Sequence, residues 1–568
     1  MKVSLLAAAL LTSSTFLPAA TGQQAGPASN YGIDSDDTTL VSSTYLPMDS
    51  WVYPALDRLR ALGYLDTAFL GLRPWTRQSI AHMLERDEDR IEAGGTNDEA
   101  RELYFAVRRE IQPGSSYRAG SGQLYTKLES VYSTFRGISG TSLRDSFHLG
   151  QTETNDYGRP YEPGFNNYSG FSGYIEAGKL SFYYRGEYQY SPSGTGYPTA
   201  LASYLSNEID DIPFAQNPVQ DTLPTGPIQT VKSARLMEGY LSYRLAGHAI
   251  SIGKNDHWLG PAQGASMLWG NNAENIYGFE INRVEPLHIP LVSRLLGPFR
   301  YDFFVGSLKG HTSPNDPWAH VEKISFKPTR NLEVGFDRLV IWGGKGHEPV
   351  TLHTFLRSFF SFQNVSGSEK FSAQDPGARF GTFDFNYRLP FLREWVILYS
   401  DSLVHDDVSP ISAPRRSGIR PGIYLARFPG LEQLDLRVEG VNTDTPSASN
   451  QKGQFLYWET VQKQGPTNKG TLVGDWIGRQ GKGGQGWITY HLSPREEVQF
   501  EYRRAKAASA FIPGGTTQDD FLVHVRKRLK KDIEILGVMQ YEHWKAPIYK
   551  TDPQNNLSTT VQITWFPH

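Results

Sequence analysis

Residue types that drive catalysis are sparse in this chain. It has no cysteine, which removes thiolate nucleophiles, thiolate zinc sites, iron–sulfur clusters and disulfides together. It contains no Gly-x-Ser-x-Gly elbow, no His-Glu-x-x-His pair and no Gly-x-x-x-x-Gly-Lys-Ser/Thr phosphate loop. His347, Glu348 and His353 lie close together, but their spacing fits no familiar metal-ligand pattern. Scattered Asp and Glu permit a glycosidase-like pair, yet such pairs are defined by separations of about 5 to 9 Å in space, not by spacing along a chain. The expectation is no catalytic residue, no metal and no cofactor. The most distinctive stretch is 253–275 (GKNDHWLGPAQGASMLWGNNAEN), too rich in Gly, Trp, Asn and Asp to continue a strand. Its rings, amides and carboxylates suit a binding loop. A loop folded back as structural filling, with Gly and Asn at turns and Trp as packing, suits it equally well.

The elements that would position this loop begin after a targeting segment. Lys2 precedes an apolar stretch, 3–17 (VSLLAAALLTSSTFL), too short to span a bilayer, and Ala20 and Gly22 suit a cleavage site before Gln23. Residues 1–22 therefore read as a signal peptide and 23–43 as a polar linker. Trp51, Ala55, Leu59 and Leu62 recur at helical spacing behind Asp49 and Ser50, expected N-caps, until Gly63. Thr76 is expected to cap a second helix carrying Ile80, Met83 and Leu84. Thr96-Asn97-Asp98-Glu99 fits a capping box before Leu103, Ala106, Val107 and Ile111, with Pro113-Gly114 as the stop. This outlines a small helical bundle over 44–112, followed by a linker at 113–122.

From Gln123 onward the hydrophobic period switches to two. In 180–190, Leu180, Phe182, Tyr184, Gly186, Tyr188 and Tyr190 share one face, and Ser181, Tyr183, Arg185, Glu187 and Gln189 the other. Many such stretches of about ten residues, often with aromatics near their ends, are the signature of a membrane barrel rather than a soluble sandwich. Connections add a second signal. Tight turns at 177–179, 246–248, 328–330 and 493–495 alternate with long connections at 192–230, 255–275, 343–377, 403–417 and 506–518. Of 568 residues only 39% are hydrophobic while 13% are aromatic, a balance that suits strands with one face towards lipid. No later segment offers an apolar run long enough for a transmembrane helix. The expected fold is mainly β: a large antiparallel transmembrane β-barrel of about 18 strands over 123–568, with the α-helical bundle in front of it. Eighteen to twenty strands can be counted, the pair around 453–478 being the least defined. A net charge of −3 gives no footprint for nucleic acid.

The opposite strand face would line a lumen. It carries Arg185, Glu187, Asp435, Arg437, Glu439, Glu501, Arg503, Arg526, Arg528, Glu534 and Glu542. The mixed signs fit either a selectivity surface or a pairing network that braces a wide barrel.

Trp258-Leu259-Gly260-Pro261, Ser266-Met267-Leu268 and Asn271-Asn272-Ala273 stand in the order seen in the Wzi family of capsule assembly proteins, which the chain resembles. The stretch from Tyr45-Leu46-Pro47-Met48-Asp49-Ser50-Trp51 to Leu59, with Gly71-Leu72-Arg73-Pro74-Trp75, is similar to that family's N-terminal helical region. Ala262 departs from the family's usual Gly, which leaves ligand identity open. The resemblance implies an 18-stranded outer-membrane barrel, periplasmic helices and a lectin-like, non-catalytic role holding exported capsular or extracellular polysaccharide at the cell surface. Outer-membrane lipid and polysaccharide export machinery are the further partners implied. Trp and Tyr faces stack on sugar rings while Asn, Asp and Arg bond hydroxyls; the residues singled out in this stretch are Asp256, His257, Trp258, Trp269, Asn271 and Asn272. The alternatives are a porin or sugar channel with an open lumen, and an outer-membrane enzyme with a site at the rim.

Overall fold

The computed structural model describes residues 42–93, 98–115, 124–362, 365–407, 409–447 and 449–567. The expected signal peptide, and Thr96 and Asn97 of the expected capping box, lie outside the described residues. Alternation of side chains shapes the wall. In chain order its strands are β1 Leu124–Gly140, β2 Gly164–Ala177, β3 Leu180–Ser191, β4 Val231–Leu245, β5 His248–Lys254 and β6 Tyr277–Arg283. Then come β7 Phe299–Ser307, β8 Trp318–Thr329, β9 Leu332–Trp342, β10 Ala378–Arg388, β11 Val396–His405 and β12 Gly418–Leu425. The ring continues with β13 Leu434–Asn442, β14 Gly481–Ser493, β15 Glu496–Ala507, β16 Thr516–Arg528, β17 Ile533–Ala546 and β18 Lys550–Trp565. Each strand pairs with its chain neighbours, and β18 closes on β1, with Val131 opposite Trp565 and Gly140 opposite Asn556. The barrel expected from the alternation is thus a closed ring of 18 strands. No edge is left unpaired. Residues 453–478 contribute no wall strand; they lie inside a long loop, 443–480, in which Thr467–Asn468 pairs with Thr471–Leu472.

Strand β3 shows how the two faces divide. Leu180, Phe182 and Tyr188 are exposed on the outer face, while Ser181, Arg185, Glu187 and Gln189 are buried inside. Phe135, Phe171, Leu241, Phe500, Phe521 and Val561 extend the outer apolar surface around the ring, as a lipid-facing wall requires.

At the end with the tight turns sit four helices: α1 Val52–Ala61, α2 Arg77–Glu85, α3 Glu88–Ala93 and α4 Asp98–Ser115. Leu56, Leu59, Trp75, Ile80, Leu84, Tyr104 and Val107 form their core. Thr76 caps α2 as expected, accepting from the Ser79 N–H. Asp49 does not cap α1, whose N-cap position is Trp51, whereas Ser50 accepts from the Val52 N–H at 3.3 Å. The Asp49 carboxylate instead pairs with the lumen-facing Arg185 of β3 at 2.6 Å. Helix α4 also runs past Pro113-Gly114 to Ser115. The bundle is pinned to the wall: Leu70 and Gly71 N–H groups donate to Glu333 of β9 at 2.8 and 2.9 Å, and Lys327 of β8 donates to the Ala68 carbonyl at 2.6 Å.

Loops from the opposite end fill the lumen. Loop 255–276 brings Leu259, Met267, Leu268 and Trp269 against Phe304, Leu339, Phe380 and Leu403 of the wall; loop 141–163 adds Phe147, and loop 443–480 adds Tyr457, Trp458 and Trp476. Charge fastens this plug. Arg420 of β12, fully buried, holds Asp475 of loop 443–480 with two bonds (2.6 and 2.9 Å) and Glu439 of β13 at 2.7 Å. Glu439 in turn accepts from the Gln263 N–H of the plug and from the Tyr399 hydroxyl, both at 2.7 Å. Most of the lumen-facing charges foreseen from the alternation are likewise engaged within the protein. Arg503 pairs with Asp520 at 2.9 Å, Glu501 with His524 at 3.0 Å and Asp435 with His491 at 2.7 Å. Removing Arg420 would strand two buried carboxylates. Arg420→Met should therefore lower stability by about 3–5 kcal/mol, read as a lower thermal midpoint. Arg420→Lys should recover only part of it, since one ammonium cannot reproduce the forked contact.

Candidate functional site

The six residues singled out in 253–275 lie inside the plug, none more than 9% exposed. Asp256 accepts from the Tyr157 hydroxyl at 2.7 Å. Burial pushes its carboxyl above the usual carboxylate range, against the pull of that hydrogen bond. His257 stacks on Phe304 with ring centroids 3.8 Å apart. Trp258 donates its indole N–H to the Ala262 carbonyl at 3.1 Å, and Trp269 meets the Phe304 ring edge-on. The two stretches that carry the family resemblance also meet in space: Leu72 pairs with Leu259 and Arg73 with Trp258 in a short antiparallel bridge. Asn271 and Asn272 stand apart from the other four, because each lines a cavity.

The outer cavity, about 560 Å³, lies among loops 141–163, 192–230 and 443–480. Its charged lining includes Arg144, Glu153, Asp156, Arg159, Asp221 and Lys469. Asp221, Val219 and Lys469 are exposed, so solvent reaches it. A second cavity of about 400 Å³ lies between plug and wall, lined by Arg136, Asn271, Arg503 and His524, among others. The two share Glu153, Asp156 and Arg159. Ion pairs define this shared floor: Asp156 binds Arg159 at 2.6 Å and Arg136 at 2.8 Å. With cationic donors and carboxylate acceptors interleaved, the outer cavity can hydrogen-bond a ligand dense in hydroxyls. The described residues place no nucleophile–base pair in it.

The plug motif also builds this floor. Backbone N–H groups of Tyr157 and Gly158 donate to the Asn271 and Asn272 carbonyls at 2.8 and 2.9 Å. The Asn272 side chain accepts from the Asn155 N–H at 3.0 Å and donates to the Leu472 carbonyl at 3.0 Å. These bonds hold a turn in which Asn155, Tyr157 and Gly158 all have positive φ, presenting Asp156 and Arg159 to the cavity. Gly158 suits this position, where φ is positive and a Cβ would stand a tight 3.1 Å from the Glu274 backbone nitrogen. Arg144, Glu153, Asp156, Arg159, Asp221 and Lys469 escape sequence reasoning because three separate loops supply them. The one signal within reach is the turn-forming run Asn155-Asp156-Tyr157-Gly158 in a long connection.

A buried ionic cluster ties these loops together. His148 bonds Asp145 through Nδ1 and Asp210 through Nε2, both at 2.9 Å, and Arg479 reaches Asp210 at 2.6 Å. Burial pulls the His148 pKa down, but Asp145 and Asp210 outweigh it and raise it to about 9. A histidine raised in the folded state stabilises fully below its unfolded value near 6.5, and the contribution fades as pH climbs through about 9. Its size is about 3 kcal/mol. Limited proteolysis of loops 141–163 and 192–230 should accelerate between pH 6.5 and 9.5, and His148→Gln should flatten that dependence.

Comparison with known proteins gives the family. The profile described as capsule assembly protein Wzi matches residues 135–559. An uncharacterized 55.8 kDa protein in the cps region of Klebsiella pneumoniae is 25% identical over 161 residues, 28% of this chain. The chain thus spans 31% of the length of that curated relative. Among solved structures, Escherichia coli Wzi is similar in fold, with a TM-score of 0.63 at 15% identity, covering 92% of this chain and 99% of the other. It is described as a carbohydrate-binding β-barrel and outer-membrane protein involved in group 1 capsule assembly. The profile match covers most of the chain, and the chain belongs to the Wzi family of capsule assembly proteins.

Proposed function

We propose that this protein is an outer-membrane lectin that binds exported capsular or extracellular polysaccharide and helps attach it to the cell surface, without catalysis. The observation that carries the reading is the solvent-reached polar cavity among the long loops, set above a lumen packed by a hydrophobic and ion-paired plug. A transport barrel needs a wide polar lumen, whereas a surface receptor needs rigid loops. In this proposal Asn271 and Asn272 act at the cavity margin, and Asp256, His257, Trp258 and Trp269 position it from behind. Orientation follows from loop length: the helical bundle and tight turns face the periplasm, where they can meet export machinery, and the long loops face outward. Residues 1–22 serve as the export signal.

The test compares polysaccharide retained on cells with polysaccharide shed into the medium. Deleting the gene should leave total polysaccharide unchanged and shift it towards the shed fraction. Asp221→Ala with Lys469→Ala removes two exposed hydrogen-bonding groups, each worth about 0.5–1.5 kcal/mol, and should weaken binding about fivefold or more. Retention unaltered by the deletion would overturn the reading.

A further inference from the structure

His257, Glu280 and Asp302 come together where the plug loop meets strands β6 and β7. Glu280 of β6 and Asp302 of β7 are diagonal neighbours on the inner face, since Glu280 lies opposite Phe304 and Asn282 opposite Asp302. His257 enters from the plug and lies flat on Phe304, which brings its Nδ1 within 3.6 Å of Asp302. One donor atom from each of the three residues lies within 4.8 Å of the other two. All three residues are at most 4% exposed.

Few partners face these buried groups. His257 Nδ1 and both Asp302 carboxylate oxygens make no hydrogen bond of ordinary geometry with a described residue, Asp302 meeting only the Phe303 N–H and the Glu280 carboxyl in weaker contacts. Glu280 accepts from the amides of Asn255 and Asn282, neither of which carries charge. No described Lys or Arg forms an ion pair with either carboxylate: Arg300, on the same face of β7, donates instead to the Asn282 side chain and the Arg283 carbonyl. Two buried carboxylates beside an imidazole, with Arg300 acting on Asp302 only from beyond ion-pair distance, are costly unless a cation joins them or a proton is shared.

We propose that His257, Glu280 and Asp302 bind one divalent transition-metal ion, zinc in the first instance, which staples the plug to the barrel wall. One imidazole nitrogen with two carboxylates is a donor set that zinc takes readily and that magnesium does not favour. Donors at a tetrahedral zinc stand about 3.3 Å apart for bonds of about 2.0 Å, so the set closes on the ion by a small inward shift. Asn255, next but one to His257, donates to Glu280 and fixes its carboxylate.

The experiment uses the full-length protein purified in detergent, stripped with a chelator, equilibrated with zinc chloride and freed of excess ion. Metal content by mass spectrometry should reach about one zinc per chain. The thermal midpoint should fall on stripping and recover with zinc. Asp302→Asn and His257→Ala should each weaken zinc binding at least about tenfold. Folded wild-type protein holding under about a tenth of an ion per chain would overturn the proposal, and so would undiminished binding by both variants. A gain in thermal midpoint for Asp302→Asn, with no metal in the wild type, would identify a shared proton instead. Should neither variant fold, X-ray absorption of the zinc-loaded wild type decides the matter. One imidazole among oxygen donors supports the site, and several imidazoles or none refute it.

Discussion

A ring of 18 strands encloses more space than its own inward side chains can fill, and that geometric surplus governs the molecule. Rings of eight strands pack shut, whereas rings of 16 to 18 leave an aqueous channel unless other chain occupies it. Here loops 141–163, 255–276 and 443–480 occupy it. Filling the lumen with chain raises a second problem, because each buried peptide group and charge must find a partner. The solution combines an apolar centre around Trp269, Phe304 and Trp476 with ionic fastenings such as Arg420–Asp475–Glu439. Arg420–Asp475 and Gln263–Glu439 join plug to wall across 55 and 176 residues of chain, so the plug and wall are specified together.

The same filling explains the lumen's charges. Arginines and carboxylates that would set ion selectivity in an open pore are here engaged with one another. Their pairing holds loops at fixed depths, and the outer cavity is what remains where three of those loops converge. Asn271 and Asn272 illustrate the relation. Their carbonyls grip the turn at 155–158, which presents Asp156 and Arg159 as a floor. The motif thus places other residues as well as lining the two cavities through Asn271 and Asn272. The helical bundle takes part as well, since Leu72–Arg73 pairs with Trp258–Leu259 from the opposite end.

The wall was legible in the sequence because strand physics is local. The alternation of Leu180, Phe182 and Tyr188 with Ser181, Arg185 and Glu187 already separates outside from inside, and turn composition marks the tight end. Thr76 announced its cap because a cap is satisfied within four residues. Asp49 misled because its true partner, Arg185, is distant in sequence and can be known only once the barrel is closed. The pair of strands counted around 453–478 is missing from the wall because Phe455, Tyr457 and Trp458 bury their rings in the plug instead. The cavity residues and the trio His257, Glu280 and Asp302 were illegible for the same reason: each set is assembled across loops and strands with no spacing rule along the chain.

The filled lumen is the central claim, and conductance of the purified full-length protein in planar lipid bilayers tests it most directly. Insertion without steady ion current across a range of voltages is the predicted result, because the plug is held by buried apolar packing and paired charges. A stable open-channel current from intact wild-type protein would contradict it, and would return the paired lumen charges to the role of a selectivity surface.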